Sequence, residues 1–336
     1  MNSKKIGLFI SGPRGYKIIE PLEKLGADLK VVHAFKQRDI ISSLINCNKI
    51  ISKNNINFVI CDMPYLIGIK AMSISRSLNV PFILRLRGDV IKEADKSIIK
   101  KSCNYIMKQQ IKRQKHFYLA PVSEYLGKNF IEKWELDNIN NLPIHNYIEP
   151  NQPPETQLND SIELISVMNM NFKEKVQGLV DFYLSACSFI KRNNIEVTII
   201  GNGTFKKYVE DKLDILKPNV RMVGHKLNVS DYFTRNSIFI HSSYLDAFPS
   251  VVLEAMSHGL PIIAGGYKSV KEQVLHDYNG LIVNPVDKED VQNCLERLYN
   301  SIVVRERMSN ASYKVIEDKF SLNKIANRWS EMLNKI

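Results

Sequence analysis

The densest chemistry in this chain lies between Ser242 and Gly266, SSYLDAFPSVVLEAMSHGLPIIAGG. An apolar run ending at His241 leads into a loop carrying Asp246. A turn through Phe248-Pro249-Ser250 follows, then a helical pattern that puts Glu254 on its first turns. The spacing of eight from Asp246 to Glu254 places one carboxylate on the loop and the other near the helix start, both toward one cleft. Ionised carboxylates only accept hydrogen bonds, so Glu254 there suits ribose or sugar hydroxyls. An acid near a helix N-terminus also offsets the partial positive charge of that end. That bland role accounts for Glu254 alone, not for the whole string.

Glycines punctuate the ends of other apolar runs: Gly201-Asn202-Gly203, Gly224-His225, Gly265-Gly266 and Asn279-Gly280. Glycine after a strand lets backbone amides approach a ligand, and a following helix start favours phosphate. A dinucleotide fingerprint fails at Gly201, because the third glycine of GxGxxG falls at Lys206. The histidines show no HxxxH or HExxH spacing, and no DxD run or GxSxG elbow occurs. No metal and no cofactor are expected.

These residues need elements to hold them. Lys5 to Ser11 is an apolar run ending in Ser11-Gly12-Pro13-Arg14-Gly15, followed by a helical pattern and a second apolar run at Leu29 to Val32. The rhythm repeats through Asn57–Cys61, Leu66–Leu78, Pro81–Leu86, a basic helical region from Val90 to Lys115, and Phe117–Val122. Strands alternating with helices imply parallel pairing with crossover helices. From Glu149 to Asp160 the chain reads EPNQPPETQLND, the clearest linker. The alternation then restarts, and two helical segments close the chain with a break near Phe320. The fold class is therefore α/β, two Rossmann-like parallel-sheet domains facing across a cleft, with ligands expected beyond the carboxyl ends of the strands.

Composition bounds the rest. The 336 residues are 44% hydrophobic and 24% charged, which excludes collagen-like and disordered chains. No apolar run approaches the roughly 18 residues of a spanning helix. Five scattered cysteines without a CxxC pair argue against a disulfide framework and fit a cytoplasmic, unexported protein. The net charge of +11 is unevenly placed: residues 1–150 hold 24 Lys+Arg against 13 Asp+Glu, and the remainder holds 22 of each. No aromatic-basic motif accompanies it, so nucleic acid is not the expected partner.

The string at 246–264 resembles the GT-B glycosyltransferases, specifically the large retaining family 4, whose pattern is an acidic residue, Gly-Phe-Gly, then Glu-Ala-Met-Ala-x-Gly-x-Pro-Val-Ile-Ala. Weaker matches at Lys173-Glu174-Lys175, Gly201-Asn202-Gly203, Lys271-Glu272 and Asn279-Gly280 agree with it, as do Gly12-x-x-Gly15 and Arg87-Gly88-Asp89. The resemblance implies a nucleoside-diphosphate sugar as donor. Residues 1–150 would bind the acceptor, residues 151–315 the nucleotide sugar, and a C-terminal helix within 316–336 would pack back on the first domain. It gives Asp246 and Glu254 as the EX7E acids, with Glu254 on the donor ribose. Lys175 takes the donor diphosphate, with Lys173 as the competing alignment. Gly12, Gly15, Asn169, Gly201, Gly203 and the segment Phe248, Pro249, Ser250 and Val251 complete the donor set.

Three departures stand out. Asp246 is one methylene shorter than the usual Glu, Val167-Met168-Asn169-Met170 lacks the usual basic residue, and arginine stands where the first-domain histidine is expected. Arg87 and Asp89 are then contacts for an anionic acceptor or for phosphate. The implied reaction is sugar transfer to a glycan or lipid-linked acceptor in envelope polysaccharide synthesis. An inactive binding subunit of a polysaccharide assembly complex and a GT-B sugar-nucleotide epimerase are the other two readings. Were Lys101 to Lys115 one helix, Lys101, Lys108, Lys112 and Lys115 would fall within about 60° of one another. Such a basic stripe suits the anionic inner face of a membrane.

Overall fold

A computed structural model describes residues 4–10, 15–33, 55–62, 65–94, 97–152, 158–266 and 268–336. The chain forms two compact units, Met1–Tyr147 with Leu322–Ile336, and Ile148–Ser321. The crossings differ by a few residues from 150 and 315. Ile148 N–H already bonds the Phe320 carbonyl at 2.9 Å, which keeps the segment before Ser321 with the second unit.

The first unit contains β1 (Lys5–Ile10), α1 (Tyr16–Lys24), β2 (Asp28–His33), β3 (Phe58–Cys61), α2 (Tyr65–Ser77), β4 (Phe82–Leu86), α3 (Val90–Ala94), α4 (Ile98–Lys112), β5 (Phe117–Pro121), α5 (Glu124–Trp134) and the short β6 (Asn140–Asn141). Its strands pair in parallel in the order β2-β1-β3-β4-β5-β6. Ile6, Leu8, Val59, Ile60, Ile83 and Leu84 are fully buried, the continuous apolar run that a sheet covered on both faces demands. The basic region is not one helix. Ser97 caps α4 by accepting from Lys100 N–H at 3.3 Å, and the helix ends at Lys112. Lys115 therefore lies outside it, and Lys108 pairs with Glu135 at 2.8 Å. The four-lysine stripe shortens to Lys101, Lys108 and Lys112.

The second unit contains β7 (Glu163–Val167), α6 (Lys173–Arg192), β8 (Glu196–Ile200), α7 (Lys206–Leu213), β9 (Val220–Gly224), β10 (Ser237–Ser243), α8 (Ser250–Ser257), β11 (Ile262–Gly266), β12 (Gly280–Val283), α9 (Lys288–Tyr299) and α10 (Ile302–Val315). All its strands are parallel, in the order β12-β11-β10-β7-β8-β9. The order reverses between β7 and β10, where two crossovers leave in opposite directions. The crevice beyond the carboxyl ends of those strands is where doubly wound sheets hold ligands.

A final helix, α11 (Leu322–Asn334), belongs to the first unit. Ile325, Trp329, Met332 and Leu333 join the core of Ile6, Leu8, Ile18 and Leu22. Trp329 is fully buried, with the Arg85 guanidinium 6.0 Å from its ring centroid. Arg85 is itself buried, and it donates to the carbonyls of Ala120 at 3.2 Å, Pro121 at 3.3 Å and Ile144. The arginine is a bracket between backbone segments. Among the described residues no helix is long and apolar enough to cross a membrane.

If α11 completes this core, Trp329→Ala removes a large buried ring and should cost about 3–5 kcal/mol. Urea unfolding followed by circular dichroism measures it. A loss below about 1 kcal/mol would show that the core closes without the helix.

Candidate active site

At the reversal point of the second unit, β7 ends at Val167 and the chain turns through Asn169, whose Oδ1 accepts from Asn171 N–H at 2.9 Å. The loops after β7 and β8 are zipped together: Met168 N–H bonds Ile200 O at 2.9 Å, Met170 N–H bonds Asn202 O at 3.0 Å, and Phe205 N–H bonds Met170 O at 2.9 Å. Gly201 has φ +152°, and a Cβ there would collide with the Met168 carbonyl. Gly201 thus serves the close approach of the two loops themselves.

This pairing launches α6 with Lys175 in its first turn. From the other side of the reversal, β10 is buried along its full length and emerges at Ser243. Gly178 lets α6 lie directly on that strand end, since a Cβ there would sit 2.9 Å from Ser243 N. The loop after β10 is then fixed at several points. Ser243 Oγ accepts from Leu245 N–H at 3.3 Å and Asp246 N–H at 3.4 Å. Ser269 Oγ donates to Asp246 O at 2.9 Å, and Tyr244 OH donates to Asp181 at 2.9 Å.

The result is an ion pair between Lys175 Nζ and the Asp246 carboxylate, with side chains only 20% and 16% exposed. The buried His241 places Nε2 3.6 Å from the second carboxylate oxygen, too far for a hydrogen bond and close enough for charge to matter. Burial opposes charge on Asp246, but Lys175 and His241 outweigh it and hold the carboxyl below its ordinary range. His241 moves down as well, because burial and Lys175 together outweigh Asp246, so the imidazole stays neutral. Its Nδ1 has no hydrogen-bond partner among the described residues.

Beyond Asp246 the chain turns into α8. Phe248 is buried edge-on against Phe320 at 5.6 Å, and Pro249 O accepts from Gln273 Nε2 at 3.0 Å, so this segment offers backbone rather than side chains. The turn from Phe248 to Val251 aims the start of α8, where ordinary helices leave N–H groups unbonded and carry partial positive charge. Glu254 is half-buried on the same helix, and its carbonyl accepts from Ser257 Oγ and His258 Nδ1. An anion beside Lys175 and this helix start would meet a cation and a set of fixed dipoles.

In the first unit, Gly15 is buried against Ile10 at the start of α1, and Gly12 lies outside the described residues. Arg87 pairs with the buried Asp62 at 2.7 Å. Asp89 is not placed as a ligand contact. Its carboxylate is buried and caps α3, accepting from Ile91 N–H at 3.2 Å and Lys92 N–H at 3.1 Å. Sequence reasoning missed His241, which read as one of several scattered histidines. Its signal was its place two residues from the end of the strand that borders the reversal.

A sequence profile of the glycosyl transferases group 1 family matches residues 149–315. The second unit belongs to that family. A viral relative, the putative glycosyltransferase ORF31 of a virus isolated in Victoria, Australia, is 27% identical over 244 residues, 71% of this chain and 73% of that one. The capsular polysaccharide biosynthesis glycosyltransferase CapM of Staphylococcus aureus is 25% identical over 60% of this chain, which spans half of CapM's own length. Among solved structures, HepE of Anabaena in complex with UDP and glucose superposes with a TM-score of 0.75 at 14% identity, covering 99% of this chain and all of that one. This glycosyltransferase has the GT-B architecture of two parallel-sheet units.

The neutral His241 gives the fold of this glycosyltransferase a pH signature. A group with a depressed folded pKa contributes stability that is present above its unfolded value, about 6.5 for histidine, and is lost as pH falls through its folded value. The wild type should lose stability between pH 7.5 and 5.5, and His241→Gln should lose less over the same range. Urea midpoints at the two pH values decide, and equal losses would mean that His241 is not held neutral.

Proposed function

We propose that this glycosyltransferase is a retaining family 4 enzyme that takes a sugar from a nucleoside diphosphate and passes it to a glycan or lipid-linked acceptor in envelope polysaccharide synthesis. The observation that carries the reading is the Lys175–Asp246 pair at the strand-order reversal, beside the turn into α8. Transfer creates a diphosphate leaving group, and cations and amides fixed where that charge develops stabilise it. Lys175 supplies the cation, the start of α8 the amides, and Glu254 the acceptor for ribose hydroxyls. HepE, solved with UDP and glucose, and CapM, named for capsule synthesis, support the donor class and the acceptor class respectively.

On this reading Glu254→Ala weakens nucleoside-diphosphate binding by roughly 1.5–3 kcal/mol, the usual value of a hydrogen bond to a charged group. Lys175→Ala lowers turnover strongly and Lys173→Ala does not. Calorimetry with UDP and GDP, and donor turnover in the two lysine variants, test both. Unchanged affinity in a folded Glu254→Ala protein sinks the ribose assignment. Loss of turnover only in Lys173→Ala shifts the alignment by two residues.

The acceptor half has a second feature that favours a lipid-linked acceptor. On α4, Ile98, Ile99, Tyr105 and Ile106 are 85%, 71%, 67% and 44% exposed. At 100° per residue they span about 120° opposite the buried Met107, with Lys101, Lys108 and Lys112 along one margin. Apolar side chains bordered by lysines are the pattern of a helix lying in an anionic interface. Each lysine near such a surface contributes about 1 kcal/mol, which salt removes. Apolar insertion survives salt. Flotation with phosphatidylglycerol vesicles should therefore lose only part of the binding at high salt, and Ile98→Ser with Ile99→Ser and Ile106→Ser should remove the remainder. Equal recovery on neutral and anionic vesicles, or binding unaffected by the serine substitutions, overturns the membrane reading.

A further inference from the structure

The second unit has a groove of about 390 Å³ at the carboxyl ends of β10, β11 and β12, next to the loop that carries Asp246. Tyr244 and Ile282 form apolar walls, the Gly265-Gly266 turn lies between them, and Lys268 and Lys271 stand at the rim. Among the described residues no acidic side chain lines it. Both lysines are exposed, and neither has an ion-pair partner among the described residues.

The stance of these lysines is fixed by the backbone that bears them. They lie three apart on the 3₁₀ turn Lys268–Glu272, and side chains at that spacing in a 3₁₀ helix eclipse one another. Two ammonium groups are thus held on one side of a short turn, where like charges repel. The turn is anchored between them by the buried Ser269 and Val270, and Ser269 Oγ bonds the Asp246 carbonyl. Gln273 Nε2, one residue past the turn, bonds the Pro249 carbonyl at 3.0 Å. The lysine turn is therefore tied to the loop that holds Asp246, at Asp246 itself and at Pro249. Beneath it, Ser242 is fully buried and pairs in register with Gly265, and its Oγ has no hydrogen-bond partner among the described residues.

We propose that this groove is an anion subsite that receives a carboxylate or phosphate carried by one of the sugar substrates. The volume lies within the range of small-molecule sites and holds a pyranose. Tyr244, whose hydroxyl is tied to Asp181, presents a fixed ring to the sugar. The paired lysines take the negative substituent and lose their mutual repulsion. That the occupant is a sugar rests on the glycosyl-transfer reading above. That it is anionic rests on the groove alone.

Calorimetry on the full chain tests this with UDP, UDP-glucose and UDP-glucuronate, and with free glucuronate or inorganic phosphate added to the UDP-saturated protein. If the donor carries the anion, UDP-glucuronate binds about tenfold tighter than UDP-glucose. If the acceptor carries it, glucuronate or phosphate binds in addition to UDP. In either arm, Lys268→Gln combined with Lys271→Gln abolishes the effect and leaves UDP affinity within about twofold. Absence of any anion preference in the wild type, or a preference that survives the double substitution, overturns the proposal. Failure of UDP itself to bind counts against UDP as the donor nucleotide. The glucuronate and phosphate titrations without nucleotide then decide the groove.

Discussion

The constraint that organises the second unit is the reversal of strand order between β7 and β10. In a parallel sheet each crossover helix must lie on one face, and where the winding changes direction the loops after two neighbouring strands diverge and leave a crevice. Here those loops begin at Met168 and Tyr244. Lys175, Asp246 and His241 gather at that opening. α6 descends onto the end of β10 because Gly178 has no side chain, and this close approach brings Lys175 to Asp246 across a long separation in sequence. With a larger residue at 178 the helix would lift away from Ser243 and the pair would part.

The pair shows how burial and partnership compete. A carboxylate with 16% of its side chain exposed loses much of its hydration, and alone it would resist ionisation. Lys175 reverses that outcome for Asp246, while His241, deeper and with only a distant carboxylate, stays on the neutral side. One locus thus holds a matched positive and negative charge together with an uncharged imidazole. Asp246 fixes where the Lys175 ammonium rests.

Much of this was legible in the sequence, because doubly wound folds write themselves as alternating apolar runs and helical stretches. Leu66–Leu78, Pro81–Leu86 and Phe117–Val122 fall within one residue of α2, β4 and β5. The string around Glu254 carried the family. What stayed hidden depends on contacts distant in sequence or on a single local cap. The Lys175–Asp246 pair is one example, and the neutral state of His241, which follows from its depth, is another. Basic residues on both sides of Ser97 suggested one long helical region, but the serine side chain starts a helix of its own by accepting from the Lys100 amide. Arg85 is a structural bracket, a role fixed by carbonyls at Ala120 and Ile144 that no local pattern announces.

Charge counting alone also misdirects, since partnership decides what a lysine can do. The excess of basic residues lies in the first half, yet Lys108 and Arg87 there are matched by Glu135 and Asp62. The second half is formally neutral, yet it carries Lys268 and Lys271 on one turn, and among the described residues no acid lines the groove beside them. Like charges three apart on one short turn repel, and such a pair costs stability in the empty protein. Such an arrangement is stable in place only because Ser269, Val270 and Gln273 anchor the turn independently of the lysines. The local balance of charge at the groove therefore points to recognition more directly than the +11 of the whole chain does.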